Sequence, residues 1–95
     1  MTEDKKDLKE RIDIKVPIYL KKNSNIFDFD DESFAHLVSI GKSILYDKFD
    51  IIPGGGFVKA FNSNDLSLTY SKADNEIQPH IGFLLKMVYN IDLYN

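Results

Sequence analysis

Residues 12–20, with the sequence IDIKVPIYL, place a large aliphatic side chain at every second position, and this alternation restricts the fold more than any other feature. One face of an extended chain would carry all of these side chains: Ile12, Ile14, Val16, Ile18 and Leu20. A period of two is typical of a strand with one buried face. Because Pro17 has no N–H to donate, we expect this strand at a sheet edge or a bulge.

Three further segments are predicted as strands. IFDFD at 26–30 follows the polar turn KKNSN and completes a first hairpin. FVKAF at 57–61 and LSLTYS at 66–71 flank the turn sequence NSND, which is the pattern of a second hairpin. We therefore expect four antiparallel strands in one sheet.

A helix is predicted after each hairpin. Asp30 or Asp31 can cap the first helix, and its apolar stripe consists of Phe34, Leu37, Val38, Gly41, Leu45 and Phe49. The second helix is predicted to begin near Pro79 and to run through about Tyr89. The resulting order, β-β-α-β-β-α, predicts a small α+β domain whose antiparallel sheet carries two helices on one face.

Length and charge pattern divide the chain into an arm and a domain. Residues 1–11 hold four acids and four bases, so this N-terminal arm is expected to be either frayed or helical. Residues 12–95 are expected to form a single α+β domain, because 95 residues suffice for one modest core.

Composition excludes several classes of function. The net charge of −3 offers no basic face to a phosphate backbone, so we expect no nucleic-acid binding. Without cysteine there is no disulfide, thiolate nucleophile or zinc–cysteine site. The charged start MTEDKKDLKERI does not resemble a signal peptide, and no apolar run approaches membrane-spanning length, so a cytoplasmic protein without membrane contact is expected. Eleven lysines against one arginine indicate the codon usage of an AT-rich genome, such as that of a phage or mobile element.

The three consecutive glycines, Gly54, Gly55 and Gly56, suggest two alternatives. Their spacing matches neither the dinucleotide fingerprint nor the P-loop, and a predicted strand rather than a helix follows them. A conformational connection is therefore favoured. The alternative is a small-molecule or nucleotide-binding loop. Its neighbouring group would be His80, on the apolar side of the second helix, or the acidic cluster within residues 28–32.

Two other groups of polar residues are expected to be without catalytic or metal-binding function. The acids Asp28, Asp30, Asp31 and Glu32 lack a coordination-loop spacing and suit the start of a helix, so no metal site and no cofactor is predicted. His36 lies opposite the apolar stripe of its helix and is expected to be exposed and functionally silent.

The second helix has more apolar residues than one sheet contact requires. Phe83, Met87 and Tyr94 extend its apolar arc to one side of the stripe that contains Ile81 and Leu84. Either the first helix covers them or a partner does. The sequence thus predicts a non-enzymatic protein-interaction module of inhibitor, immunity or regulatory type. It would bind a protein partner or a second copy through Phe83, Met87 and Tyr94.

Overall fold

A computed structural model describes residues 3–23 and 31–94, and every regular element in these two ranges is helical. The helices are α1 (Glu3–Asn23), α2 (Asp31–Lys48), α3 (Gly56–Asn62), α4 (Leu66–Lys72) and α5 (Ile81–Asn90). One 3₁₀ turn, Gln78–His80, precedes α5. The predicted α+β fold with an antiparallel sheet is therefore wrong. The predicted strand at 26–30 lies outside the described residues.

Residues 12–20 form the second half of α1 and not an edge strand. Ile12, Val16 and Leu20 are completely buried, and their spacing of four residues places them on one helical face. Pro17 lies inside this helix, where the missing backbone hydrogen bond costs about 3 kcal/mol. Burial of three aliphatic side chains, at about 1.5–3 kcal/mol each, outweighs that cost. Residues 3–11, predicted as a separate arm, are helical and continuous with this segment.

Helices α1 and α2 pack as an antiparallel pair. The Lys5 ammonium donates to the carbonyl oxygen of Asp50 at 2.8 Å, and the Tyr46 hydroxyl donates to the Asp13 carboxylate. Burial raises the pKa of Tyr46, and its hydrogen bond to Asp13 raises it further. Burial alone would raise the pKa of Asp13, but hydrogen bonds from Tyr46 and Lys9 outweigh it and hold this pKa below its usual value. These contacts fix both the beginning and the middle of α1 against α2 and the turn that follows it.

The second predicted hairpin is a pair of short helices. FVKAF lies in α3 and LSLTYS lies in α4, so neither segment is a strand. NSND does form a turn, in which Asn64 adopts a φ of 62°. Asp65 then caps α4 by accepting a 3.0 Å hydrogen bond from the Leu68 N–H. This cap satisfies a backbone donor at the helix start, although Thr69 and Tyr70 after it favour strands by propensity.

Helix α5 fills the groove between α1 and α2. Phe83 stacks on Tyr19 of α1, with 6.4 Å between the ring centroids. Gly41 of α2 lets Met87 approach, since a Cβ at position 41 would lie 3.4 Å from the Met87 sulfur and 3.2 Å from Val16. The core therefore forms where α1, α2 and α5 meet, with Val58 and Phe61 of α3 added to it, and there is no sheet layer among the described residues.

Candidate protein-interaction surface

The predicted partner-binding residues of α5 lie inside the folded chain. Met87 is completely buried, and Phe83 is 9% exposed. Their contacts with α1 and α2 account for the apolar surplus of this helix. The expectation that Phe83 and Met87 form an exposed surface is corrected accordingly: α1 covers Phe83, and α1 and α2 together cover Met87.

Tyr94, the third of these residues, is 69% exposed and lies beside α1. The Arg11 guanidinium lies 5.8 Å from the centre of the Tyr94 ring and donates a 3.2 Å hydrogen bond to the carbonyl oxygen of Leu93. Asp7 accepts a further hydrogen bond of 3.2 Å from Arg11. A hollow of about 310 Å³ opens here, lined by Asp4, Lys5, Asp7, Leu8, Arg11 and Tyr94. The C-terminal segment thus extends the surface of the first half of α1.

An exposed aliphatic pair lies on the side of α1 that faces away from the core. Ile14 is 62% exposed and Ile18 is 58% exposed. By contrast, Val16, which lies between them in the sequence, and Ile12, which precedes them, are fully buried. The two exposed residues are one helical turn apart and are therefore neighbours on the helix surface. We call this side of α1, with Asp4, Asp7, Glu10, Ile14, Ile18, Lys21 and Lys22, the outer face.

Charge is segregated along the outer face. The exposed acids Asp4, Asp7 and Glu10 precede the isoleucine pair, and the exposed bases Lys21 and Lys22 follow it. Residues 14–23 contain three lysines and no acid. The acids also line a shallow depression of about 360 Å³ together with Lys6. The outer face therefore has an acidic end, an apolar centre and a basic end.

The loop that contains residues 54–56, called the glycine loop, is hydrogen-bonded to the carboxylate of Asp47. Asp47, with a side chain only 7% exposed, accepts hydrogen bonds from the Gly54 N–H at 3.0 Å and the Asn62 amide at 3.0 Å. Lys59 lies 2.5 Å from the same carboxylate. The hydrogen bonds from Lys59, Asn62 and Gly54 lower the pKa of Asp47 to about 2. None of the three glycines has a positive φ; Gly55 instead precedes α3 as its N-cap.

The histidines and the acid-rich segment do not form a common site. His80 is half-buried at the end of the 3₁₀ turn, whereas His36 is half-exposed and lies 3.2 Å from the Asp74 carboxylate. Asp31 and Glu32 are exposed in the first turn of α2, and Asp28 and Asp30 lie outside the described residues. Within 3–23 and 31–94, no three His, Cys, Asp or Glu side chains gather as a metal site would require.

A second apolar surface surrounds α4. Leu66 is 61% exposed, and Leu68 and Tyr70 are 42% and 43% exposed. The inward side chain is Thr69, whose hydroxyl donates to the carbonyl oxygen of Asp65 at 2.6 Å. A hollow of about 90 Å³ lies next to it, lined by Phe61, Asn64, Leu66, Thr69, Ile81 and Leu85. This surface lies on another helix and has apolar side chains of similar exposure, which makes it a useful control in experiments.

Sequence reasoning missed Ile14 and Ile18 as surface residues because it placed them on the buried face of a strand. The signal that identifies them is the recurrence of Leu8, Ile12, Val16 and Leu20 every four residues. At about 100° per residue, that helical stripe leaves Ile14 roughly 200° away from Ile12.

Comparison with family models, curated proteins and solved structures gave no match to this chain. No helix in the described ranges combines the length and apolar character needed to cross a bilayer.

Proposed function

We propose that this protein is a non-enzymatic interaction module that binds a protein partner through the outer face of α1. The observation that carries this proposal is the exposure of Ile14 and Ile18 on a helix whose other large aliphatic residues are buried or half-buried. Two adjacent isoleucines left in water lose the stabilisation that burial would provide. Contiguous apolar surface with a polar rim is typical of protein-binding sites.

The composition of this face favours a protein over a membrane. Anionic lipid would attract Lys21 and Lys22 but would repel Asp7 and Glu10 on the same face. The net charge of −3 adds to that repulsion. Tyr94 and Arg11 lie at the acidic end, and both residue types are enriched where binding energy is concentrated at protein interfaces.

The glycine loop supports a nucleotide-binding function less well. A phosphate-binding loop presents free backbone N–H groups, whereas the Gly54 N–H already donates to Asp47. The Lys59 ammonium, which could otherwise bind a phosphate group, is paired with the Asp47 carboxylate. The contacts of this loop support a structural role.

Site-specific photocrosslinking in cells tests the proposed function. A photoreactive amino acid replaces Ile18 in one variant and Leu68 of α4 in a control variant. We expect a discrete protein adduct from position 18 that is absent from position 68. Adducts confined to position 68, or none at either position, would contradict the proposal.

A further inference from the structure

We infer that the occupant of the outer face is a second copy of this chain, with the two α1 helices packed antiparallel about a two-fold axis. This inference rests on the proposed function, since it names the partner of the same surface. The apolar centre of the outer face forms the contact between the two helices, and the charges on either side of it determine their relative orientation.

The register follows from the positions of the two isoleucines. A two-fold axis near residue 16 places Ile14 of one copy opposite Ile18 of the other, and the reciprocal pair forms by symmetry. The same register places Glu10 opposite Lys22 of the second copy. All four side chains are exposed in the single chain, so the pairing requires no rearrangement of the fold.

Charge complementarity selects the antiparallel orientation. In that arrangement, Glu10 of one copy meets Lys22 of the other, and Asp7 lies one helical turn beyond Glu10. Lys21 comes opposite Arg11, whose charge is paired with Asp7 of its own chain. A parallel arrangement would bring acid against acid and base against base, which disfavours association. The depression lined by the acids of the first half lies where the lysines of the second copy would come.

The size of the contact predicts a weak dimer. Helix α1 has 21 residues and is therefore about 31 Å long at 1.5 Å per residue. A single helix pair buries less than the roughly 1,200 Å² of a standard interface, and contacts of that size are weak or transient. We therefore expect a dissociation constant in the micromolar range, about 10–100 µM.

Sedimentation equilibrium over a wide concentration range tests the dimer and its apolar centre. The wild-type chain should shift from monomer to dimer, and Ile18→Asp should raise the dissociation constant at least about 10-fold by placing a carboxylate in the contact. Leu66→Asp is the matched control, because Leu66 is exposed to a similar extent on another helix. Circular dichroism should show the same helix content in all three proteins. A wild-type chain that stays monomeric up to about 1 mM, or equal effects of the two substitutions, would overturn the inference.

A charge exchange tests the register and the identity of the partner together. Glu10→Lys or Lys22→Glu alone places like charges opposite each other at two symmetry-related positions, so each should raise the dissociation constant about 5-fold. The double variant Glu10→Lys/Lys22→Glu restores both pairs in a two-fold dimer and should return the constant to near the wild-type value. Additive weakening in the double variant would contradict the antiparallel register.

The outcomes separate this inference from the proposed function. A monomeric wild-type chain that still gives a discrete adduct with a different protein from position 18 would refute the dimer and leave the proposed function standing. A monomeric chain without any adduct would refute both. In a third outcome, the chain floats with vesicles of anionic phospholipid and Lys22→Glu abolishes this flotation. The occupant of the outer face would then be a lipid surface, and the dimer would be refuted.

Discussion

The backbone N–H of Gly54 donates a 3.0 Å hydrogen bond to the carboxylate of Asp47, which ties the glycine loop to the last turn of α2. Asn62 and Lys59 of α3 bind the same carboxylate. One nearly buried acid therefore links α2, the loop and α3. Gly54 takes part in this junction, and a side chain at position 54 would overlap Val58.

Asp47→Asn should lower the free energy of unfolding at neutral pH by about 1–3 kcal/mol, because it removes a charged acceptor from three hydrogen bonds. The folded-state pKa of about 2 lies below the usual 3.8. The stabilisation from Asp47 is therefore present above about pH 4 and is lost as the pH falls towards 2. Urea unfolding of both proteins at several pH values measures this.

The control for Asp47→Asn is Asp50→Asn, which changes an exposed acid three residues away. Asparagine tolerates the φ of 57° at position 50. Asp50→Asn should therefore change the free energy of unfolding by no more than about 0.5 kcal/mol. A stability difference between wild type and Asp47→Asn that persists unchanged at about pH 2 would contradict the role of the ionised carboxylate.

Gly54→Ala should destabilise the fold, since a Cβ at position 54 would lie 2.3 Å from Cγ1 of Val58. Overpacking of this kind costs about 1–3 kcal/mol. Gly82→Ala is the matched comparison, because a Cβ there meets nothing within 4 Å and the position lies inside α5. Thermal unfolding should show a lower Tm for Gly54→Ala and an equal or higher Tm for Gly82→Ala. Equal losses in the two variants would count against the account of the loop.

Ile12→Ala and Ile14→Ala should differ sharply in their effect on the free energy of unfolding. Ile12 is completely buried, so its truncation should cost about 2–5 kcal/mol. Ile14 is 62% exposed, and its truncation should change the free energy of unfolding by less than about 0.5 kcal/mol. Chemical denaturation at a concentration where the chain is monomeric measures both. Similar losses would indicate that both residues share one buried face, as in the strand that the alternation predicts.

Phe83→Asp should unfold the chain, because Phe83 is 9% exposed and stacks on Tyr19 and an unpaired buried carboxylate is very costly. Tyr94→Ala should leave the helical circular dichroism signal unchanged, since Tyr94 is largely exposed. If Phe83→Asp instead folds and associates differently from the wild type, Phe83 is part of an interaction surface and not of the core.

The positions of α2 and α5 could be predicted because each has apolar residues at helical spacing over three turns or so, for example Leu37, Gly41, Ile44 and Leu45 in α2. The remaining helices could not. Residues 12–20 satisfy both a period of two and a spacing of four, and the choice depends on Leu8, which lies in the charged segment before them. Only the helical choice leaves Ile14 and Ile18 exposed, so the error in the fold concealed the candidate surface.

The short helices α3 and α4 were missed for a different reason. In FVKAF, the buried residues are Val58, Ala60 and Phe61, which an extended chain could not bury on one face. The cap at Asp65 was the local evidence for a helix start, but Thr69 and Tyr70 after it favour strands by propensity. Packing of α3 against α4 and on α2 stabilises both short helices, and this information lies outside the local sequence.

Amide NMR spectra recorded over a dilution series test the central claim, self-association through the outer face of α1, most directly. We expect concentration-dependent shifts concentrated at Asp7, Glu10, Ile14, Ile18 and Lys22, with Leu66 to Lys72 of α4 unchanged. Spectra that do not change with concentration, or shifts confined to α4, would contradict the account.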